Sequence, residues 1–366
     1  MNASLPTAEA LRTALAGLLD GLPPKQAAQA VERLIANYRG TTPTGTPLLR
    51  DRSDVAAYAA YRMPATFEAV RAALAAFRAA VPGWVPARHT DIGGGTGAAS
   101  WAVAGAWDDP DEQAEADGTG GADGTDGAGG AGGTKGPRRT TVLDWADPAL
   151  VLGRELAAHS GSSALRTADW QRTRIGPGLT LESTDLVTVS YVLGELTEAG
   201  RTAVVDAAAQ AAQAVVVVEP GTPDGYLRIM AARDRLAAAG LRTAAPCPHS
   251  DACPIVRGTD WCHFSARVSR SSLHRQVKGG SLAYEDEKFS YVAAFRGEVA
   301  TVPSRVVRRP QIRKGLVQLE LCTAADELTR ETVSKRHGDL YRAARDTAWG
   351  DPWPPPGTEP MPVPGR

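Results

Sequence analysis

The sequence predicts an α/β protein built on a doubly wound, mostly parallel sheet. From Trp84 onward, short apolar segments alternate with stretches rich in Ala and Leu, a pattern typical of strands joined by helices. A glycine-rich turn from Asp91 to Gly97 follows the first apolar segment, and Asp144 ends the second. A strand, a glycine turn, a helix and a second strand that ends in a carboxylate together indicate a nucleotide-binding unit.

Each strand is expected where an apolar segment lies between helical stretches or turns. In the central sheet the expected strands are 89–92, 140–144, 184–190 and 215–219. Beyond the third cysteine the pattern becomes strand-like again, which predicts a small β-rich extension. Its expected strands are 265–268, 289–295, 301–307 and 315–321.

The expected domain organisation follows these changes of pattern. Residues 1–83 are expected to form an N-terminal helical lobe, because apolar residues recur there at helical spacing. Residues 84–246 form the Rossmann-like core, residues 247–300 a metal-binding loop with the remaining strands, and residues 301–366 a basic β-rich extension with a Pro-rich tail. Within the core, residues 108–135 contain almost no large apolar side chain, so this segment is expected to be a disordered insertion.

Length and composition limit the class of protein. With 366 residues, 43% of them apolar, the chain can fill a substantial core. Its apolar runs fall far short of the ~18 to 20 residues that cross a bilayer, so no membrane partner is expected. The N-terminal segment lacks the features of a secretory signal or a transit peptide. We therefore expect a cytoplasmic protein, and we expect it to be a monomer.

The glycine turn indicates the kind of cofactor. Its G-x-G-x-G spacing, with Asp91 just before it, is typical of S-adenosylmethionine-binding methyltransferases and differs from the dinucleotide pattern G-x-G-x-x-G. Asp91 would meet the ammonium group of the cofactor directly or through water, and Asp144 would meet the ribose hydroxyls. From Gly97 to Asp144 is 47 residues, and removing the 28-residue insertion leaves 19, close to the ~20 of a typical unit. A plain strand-to-helix loop is the alternative.

The predicted cofactor-binding residues are Asp91, Gly93, Gly95, Gly97, Asp144 and Asp169. Asp169 is included because it and Trp170 lie where an adenine-contacting acid and a stacking ring would follow the third strand. Helix-cap and core positions explain these two residues equally well.

The segment after the fourth strand would face the methyl donor, and it offers few reactive groups. It contains no cysteine that could attack a pyrimidine and no Asn/Asp-Pro-Pro-aromatic motif for an exocyclic amine. Tyr191 and Glu195 are the nearby polar candidates for a catalytic role. Alternatively, Glu195 caps the following helix and Tyr191 packs beneath the cofactor.

The four cysteines of the chain could make one complete metal site. Cys247, Cys253 and Cys262 fall within sixteen residues, and Cys322 follows sixty positions later. Four thiolates suit either tetrahedral zinc or a [4Fe-4S] cluster. The wide, irregular spacing is more typical of the cluster, and zinc is the alternative. Four buried cysteines without a metal are the third explanation.

Basic charge is concentrated near the C-terminus, although the net charge is only −1. Residues 263–345 contain 16 Lys and Arg against 9 Asp and Glu. Such a segment can neutralise phosphates, while a solvated basic face explains it equally well. The predicted RNA-binding residues are Arg305, Arg308, Arg309, Arg313 and Lys314.

Seven short motifs occur in order over about residues 55–355 and carry a family resemblance. They are Tyr61 to Thr66, Asp91 to Gly97, Tyr191 to Leu196, Glu219 to Thr222, Cys247 to His249, Trp261 to Phe264 and Tyr341 to Arg345. With these motifs the chain resembles the methyltransferase-like assembly factors of the small ribosomal subunit, known from mitochondrial ribosomes and also having bacterial relatives.

The resemblance implies a fold, a cofactor set and a partner. The implied fold is that of a class I S-adenosylmethionine-dependent methyltransferase. The four cysteines match the ligands of an iron-sulfur cluster, and the implied partner is the small ribosomal subunit or its RNA. The chain would then be an enzyme that methylates this RNA, or a non-catalytic assembly factor that binds S-adenosylmethionine and RNA. A small-molecule methyltransferase with a structural zinc site is the remaining alternative.

Overall fold

In a computed structural model of the chain, the described residues are 6–19, 29, 31–32, 52–108, 138–271, 275 and 282–355. The predicted insertion lies outside this part of the chain, apart from Asp108. None of the described helices is long and apolar enough to cross a membrane.

The central sheet has eight strands. They are β1 (Arg88–Ile92), β2 (Arg139–Asp144), β3 (Asp169–Arg172), β4 (Thr184–Ser190), β5 (Ala212–Pro220), β6 (Arg242–Ala245), β7 (Phe264–Ser269) and β8 (Tyr284–Phe295). Their order is β3-β2-β1-β4-β5-β8-β6, with β7 paired to the first half of β8. Only β8 runs antiparallel to its neighbours. This order confirms the predicted class I methyltransferase fold.

Helices cover both faces of the sheet, which explains the continuous apolar strands. They are α1 (Thr7–Leu19), α2 (Arg52–Ala80), α3 (Ala98–Asp108), α4 (Asp147–Ala158), α5 (Ser163–Arg166), α6 (Glu198–Ala211) and α7 (Pro223–Ala238). The first four pack on one face, and α6 and α7 pack on the other. A strand covered on both faces needs no polar side, and β5 is accordingly buried from Ala214 to Val218.

The N-terminal helices pack directly on the sheet. Phe67, Val70 and Phe77 of α2 share one apolar core with Phe289 and Phe295 of β8. The domain boundaries stay predictions.

A second, five-stranded sheet follows the first. Its strands are β9 (Ser304–Val306), β10 (Gln311–Arg313), β11 (Leu316–Thr323), β12 (Leu328–Ser334) and β13 (Pro352–Trp353). β11 pairs antiparallel with β9, β10 and β12. The helix α8 (Asp339–Asp346) supplies Leu340 and Ala344 to the apolar core of this sheet. Of the four strands expected in the β-rich extension, 265–268 and 289–295 lie in β7 and β8 of the central sheet, whereas 301–307 and 315–321 overlap β9 and β11 of the second sheet.

Candidate functional site

The glycine turn is fastened to the end of β2. Gly93, Gly95 and Gly97 have φ of 66°, 54° and 85°, a left-handed conformation that glycine adopts without steric cost. The Gly93 amide donates to the Leu143 carbonyl at 2.8 Å, and the Gly95 amide donates to Oδ2 of Asp144 at 2.9 Å. The predicted turn and the predicted carboxylate therefore meet at the carboxyl edge of the sheet.

Asp144 is buried but keeps hydrogen-bonding capacity. Its Oδ1 accepts from the Ala146 amide at 2.8 Å, and burial raises the pKa of its carboxyl group. A carboxylate has about four acceptor positions, so the backbone amides of Gly95, Ala146 and Trp145 leave at least one for a ligand. The adjacent Trp145 is 45% exposed, which is unusual for an indole and offers an aromatic face beside the carboxylate. Our sequence analysis did not include Trp145, whose position directly after Asp144 was the available signal.

Asp91 lies beneath the turn, not at its surface. Its side chain is 0% exposed and accepts hydrogen bonds from Oγ1 of Thr188 at 2.8 Å and from Oγ of Ser100 at 3.0 Å. A Cβ on Gly94 would come within 2.8 Å of its carboxyl carbon. Burial raises the pKa of Asp91 to about 6. Because its side chain is fully buried, Asp91 cannot contact an ammonium group directly in this structure. It supports the turn from below.

Asp169 is not part of this site. It pairs with Thr141, whereas Arg172 is the β3 residue that pairs with Asp144 at the carboxyl edge. The exposed Asp169 therefore lies three positions back along the strand. Trp170 is buried against the turn, where a Cβ on Gly97 would come within 2.7 Å of its ring. It is a core residue, as one of the alternatives allowed.

The catalytic candidate Tyr191 is held by two residues from distant elements. It has a φ of 59°, a strained value for a residue other than glycine. Its hydroxyl donates to Oε1 of Glu287 on β8 at 3.0 Å, and Arg62 of α2 contacts the same oxygen at 3.1 Å. The Arg62 guanidinium also lies 5.5 Å from the centre of the Tyr191 ring.

This cluster does not favour proton abstraction by Tyr191. Burial and the neighbouring carboxylate raise the pKa of the phenol well above its ordinary value. Glu195, the second candidate, lies exposed in the 3-10 turn Leu193–Glu195. Arg62 was within the motif Tyr61 to Thr66, whereas nothing in the sequence singled out Glu287.

A buried carboxylate at the end of β5 positions the turn after β4. Glu219 is 0% exposed and accepts from the Leu193 amide at 3.0 Å. Its other oxygen accepts from Nε of Arg228 on α7 at 2.5 Å. Burial raises the pKa of Glu219, although Arg228 opposes this shift. The motif Glu219 to Thr222 was the sequence signal for this residue.

All four cysteines line one cavity of about 30 Å³ between the two sheets. The hydroxyl of Tyr226 on α7 lies 3.4 Å from Sγ of Cys253, and Nε2 of His249 lies 3.4 Å from Sγ of Cys322 on β11. Among the described side chains, no group of three or more His, Cys, Asp or Glu is placed so that it could hold a metal ion. The thiols thus surround the cavity without converging on one point.

The surroundings of the cavity are apolar but contain two buried guanidinium groups. Arg233 donates to the carbonyl oxygens of His249 and Asp251, at 3.2 and 2.5 Å. Arg305 donates to the carbonyl oxygens of Pro246 and Gly350, at 2.7 and 2.9 Å. Burial raises the pKa of the Cys322 thiol to about 12. Four thiolates would therefore need a cation, and the two arginines add positive charge around them.

The basic residues predicted to bind RNA divide into two groups. Arg305 is only 6% exposed and holds the loop at Pro246, so it does not fit a phosphate contact. Arg308 is half-buried and pairs with Asp260 at 2.5 Å. Arg309, Arg313 and Lys314 are exposed.

Comparison with known proteins gives matches to a ribosomal family. The profile of the family described as "Mitochondrial small ribosomal subunit Rsm22" matches residues 52–119 and 134–354. The human "Ribosome assembly protein METTL17, mitochondrial" is 27% identical over 317 residues, which are 80% of this chain and 61% of that protein. "Rsm22-cox11 tandem protein 2, mitochondrial" of Schizosaccharomyces pombe (strain 972 / ATCC 24843) is 26% identical over 183 residues, 38% of this chain and 24% of that protein.

Among solved structures, a SAM-dependent methyltransferase from Aquifex aeolicus has a TM-score of 0.37 and 11% identity, covering 68% of this chain and 100% of that chain. The chain spans 61% of the length of its human relative and 24% of the fission yeast relative.

These matches correct the expected location. The matched family and both relatives are named as mitochondrial, so the expectation of a cytoplasmic protein is wrong. That expectation depended on the absence of targeting features, which is weak grounds for a location.

Proposed function

The chain belongs to the mitochondrial small ribosomal subunit Rsm22 family, and on this premise we propose that it is a methyltransferase-like assembly factor of the small ribosomal subunit that binds S-adenosylmethionine. The observation that carries the cofactor assignment is the hydrogen bond from the Gly95 amide to Asp144. It places a left-handed glycine turn and a carboxylate side by side at the carboxyl edge of adjacent parallel strands, where ligands bind in open α/β sheets.

The residues around the turn suit the parts of this cofactor. The free lone pairs of Asp144 would accept the ribose hydroxyls, and the exposed ring of Trp145 would stack on the adenine. Gly93 and Gly95 let the backbone approach the ligand closely. Asp91 would act through the turn that it supports.

Calorimetric titration with S-adenosylmethionine tests this proposal. Asp144→Ala removes the ribose acceptor and should weaken binding roughly 10- to 100-fold, because a hydrogen bond to a charged group contributes about 1.5 to 3 kcal/mol. Asp169→Ala is the matched control, since this exposed carboxylate lies away from the turn, and it should bind as the wild type does. Equal affinities in all three proteins would place the cofactor elsewhere.

We also propose that Cys247, Cys253, Cys262 and Cys322 hold a [4Fe-4S] cluster. Four thiols around one cavity, with two buried arginines beside them, suit a centre of net negative charge. A [4Fe-4S] cluster takes four thiolate ligands, which is the number of cysteines that line this cavity. When bound, the centre would crosslink the cysteine loop to β11 and so stabilise the contact between the sheets.

Anaerobic purification followed by iron and acid-labile sulfide analysis tests the cluster. We expect about four of each per wild-type chain, and loss of both in Cys322→Ser. Val307→Ala, which shortens an apolar side chain that lines the same cavity and removes no thiol, should retain them. Stoichiometric zinc without sulfide would replace the cluster with a structural zinc site.

The environment of Tyr191 favours the non-catalytic function. Its hydroxyl is committed to Glu287, and its raised pKa opposes a role as a base. A methyl-transfer assay on immature small subunits from a deletion strain separates the two functions. The non-catalytic function predicts no methyl incorporation into RNA by the wild type. Incorporation that is lost in Asp144→Ala would show an enzyme instead.

A further inference from the structure

We propose that one end of the second sheet is a phosphate-binding surface for structured RNA. This surface, the cationic end, consists of Arg313 at the end of β10, Lys314 in the turn between β10 and β11, and Lys335 and Arg336 in the 3-10 turn after β12. The proposal rests on the proposed ribosomal function and names the part of the chain that would contact the RNA.

Strand register brings the two turns together. Leu316 pairs with Ser334 in the antiparallel ladder of β11 and β12. Continuing this register by one residue places Gly315 opposite Lys335, whose backbone amide donates to the Gly315 carbonyl at 3.1 Å. Lys314 precedes Gly315 in the two-residue turn between β10 and β11, and a Cβ on Gly315 would lie 3.9 Å from Cδ of Lys335. Strands in a sheet are about 4.8 Å apart, so two basic pairs that are distant in sequence form one surface.

These four cations are exposed, and no carboxylate in the described part of the chain pairs with them. The nearby carboxylates have other partners: Glu320 pairs with Arg330 at 3.1 Å, and Asp339 pairs with Arg342. Four unpaired positive charges on a hydrogen-bonded scaffold repel each other, which a polyanion would relieve.

The same strand connects this surface to the cysteine cavity. β11 starts at Leu316, beside the cationic end, and contains Cys322 near its other end. A strand rises about 3.4 Å per residue, so the two features are roughly 20 Å apart on one rigid element. The cysteine loop would thus fix the orientation of the surface relative to the cofactor core.

The test compares two kinds of double variant of the full chain. Lys335→Ala/Arg336→Ala and Arg313→Ala/Lys314→Ala each remove two unpaired charges. Arg330→Ala/Arg342→Ala removes two charges of the same sheet region that are already paired, and it is the matched control. Affinity for transcribed small-subunit ribosomal RNA is measured across a salt series, with bulk transfer RNA as competitor.

Each neutralised phosphate contributes about −0.7 to −0.9 to the slope of log affinity against log salt. Either test variant should therefore flatten the slope by roughly 1.4 to 1.8 units, whereas the control should leave it near the wild-type value. Equal loss in test and control variants would overturn the proposal. The proposal would also be overturned if the test variants bound free RNA normally but no longer bound small-subunit precursors. In that case the surface would contact a protein.

The outcome for the wild type separates this surface from the proposed function. If the wild type binds the RNA and the test variants bind it equally well, the proposal that the cationic end binds RNA is wrong, while the proposed ribosomal function is retained. If the wild type binds neither the RNA nor the precursors, the ribosomal function itself fails.

Discussion

Asp91 occupies a costly position for a carboxylate. It is fully buried, and its hydrogen bonds to Thr188 and Ser100 only partly offset the loss of water. Thr188 also contacts Nε2 of the buried His89 at 2.8 Å, so a polar chain runs beneath the glycine turn. Asp91 therefore helps to order the glycine turn through these hydrogen bonds. Its burial lowers the free energy of unfolding of the protein.

This cost predicts a pH dependence. Burial raises the pKa of Asp91 to about 6, so the folded chain holds this proton more tightly than the unfolded chain does. The resulting stabilisation is present below about pH 4 and is lost as the pH rises to about 6, a difference of about 3 kcal/mol. Asp91→Asn cannot titrate. Its free energy of unfolding relative to the wild type should therefore increase by up to about 3 kcal/mol between pH 4 and pH 7.

Urea unfolding of both proteins across this pH range is the measurement. Asp91→Asn is also expected to weaken cofactor binding, because an amide cannot accept hydrogen bonds from two hydroxyls in the same way. A difference in stability that stays constant with pH would show that Asp91 does not titrate in this window.

At the scale of elements, an ion pair closes the base of the predicted insertion. Nη2 of Arg138 contacts Oδ1 of Asp108 at 3.0 Å, and Nε of Arg138 donates to the Pro86 carbonyl at 3.1 Å. The Arg138 guanidinium also lies 5.6 Å from the centre of the Trp107 ring. The end of α3 and the start of β2 are thus joined independently of the residues between them.

Removal of the insertion and removal of this ion pair should have different effects. Deleting 109–136 leaves Asp108 and Arg138 in place, so fold, cofactor binding and metal content should be retained. Arg138→Ala removes a buried guanidinium that contacts Asp108 and donates to the carbonyl oxygens of Pro86 and Val103, so it should lower the free energy of unfolding by about 1 to 3 kcal/mol. Arg139→Ala, at an exposed neighbouring position, is the control. A large loss of stability on deletion would mean that the insertion contributes to the fold.

The elements also show what the sequence can and cannot predict. Alternating apolar segments and the glycine turn were sufficient for β1, β2, β4 and β5 of the central sheet, because each is a local pattern that burial imposes on consecutive residues. They did not show that β7 and β8 join the same sheet, since that pairing is between distant segments. The register between distant strands is not a local property of the sequence. It places Asp169 away from the glycine turn, and it places Lys335 and Arg336 beside the turn that contains Lys314. Neither result follows from spacing along the chain.

Like strand register, the partners of buried charged residues could not be predicted from the sequence. Arg305 belongs to a basic run and was expected to bind phosphate, yet it holds the carbonyl oxygens of Pro246 and Gly350. Glu287 gave no signal because its role depends on Arg62 and Tyr191, which come from two other elements. Chemistry that depends on three distant segments becomes visible only once the fold is known.

On the scale of the whole molecule, the two sheets meet around the cysteine cavity. Arg305 and Cys322 approach the loop from the second sheet, and Arg308 pairs with Asp260 beside Cys262. The central sheet carries the candidate cofactor turn, and the second sheet carries the cationic end. A metal centre between them would couple cofactor binding to the orientation of the cationic end.

The central claim is that this chain acts on the assembling small ribosomal subunit, and sedimentation tests it most directly. Small-subunit precursors from a deletion strain are mixed with the anaerobically purified chain and separated on a gradient, with excess bulk transfer RNA as competitor. The account predicts that the chain migrates with the precursors despite the competitor, and that Lys335→Ala/Arg336→Ala shifts much of it to the free fraction. A wild-type chain that stays free, while still binding S-adenosylmethionine by calorimetry, would contradict the claim and favour a small-molecule methyltransferase.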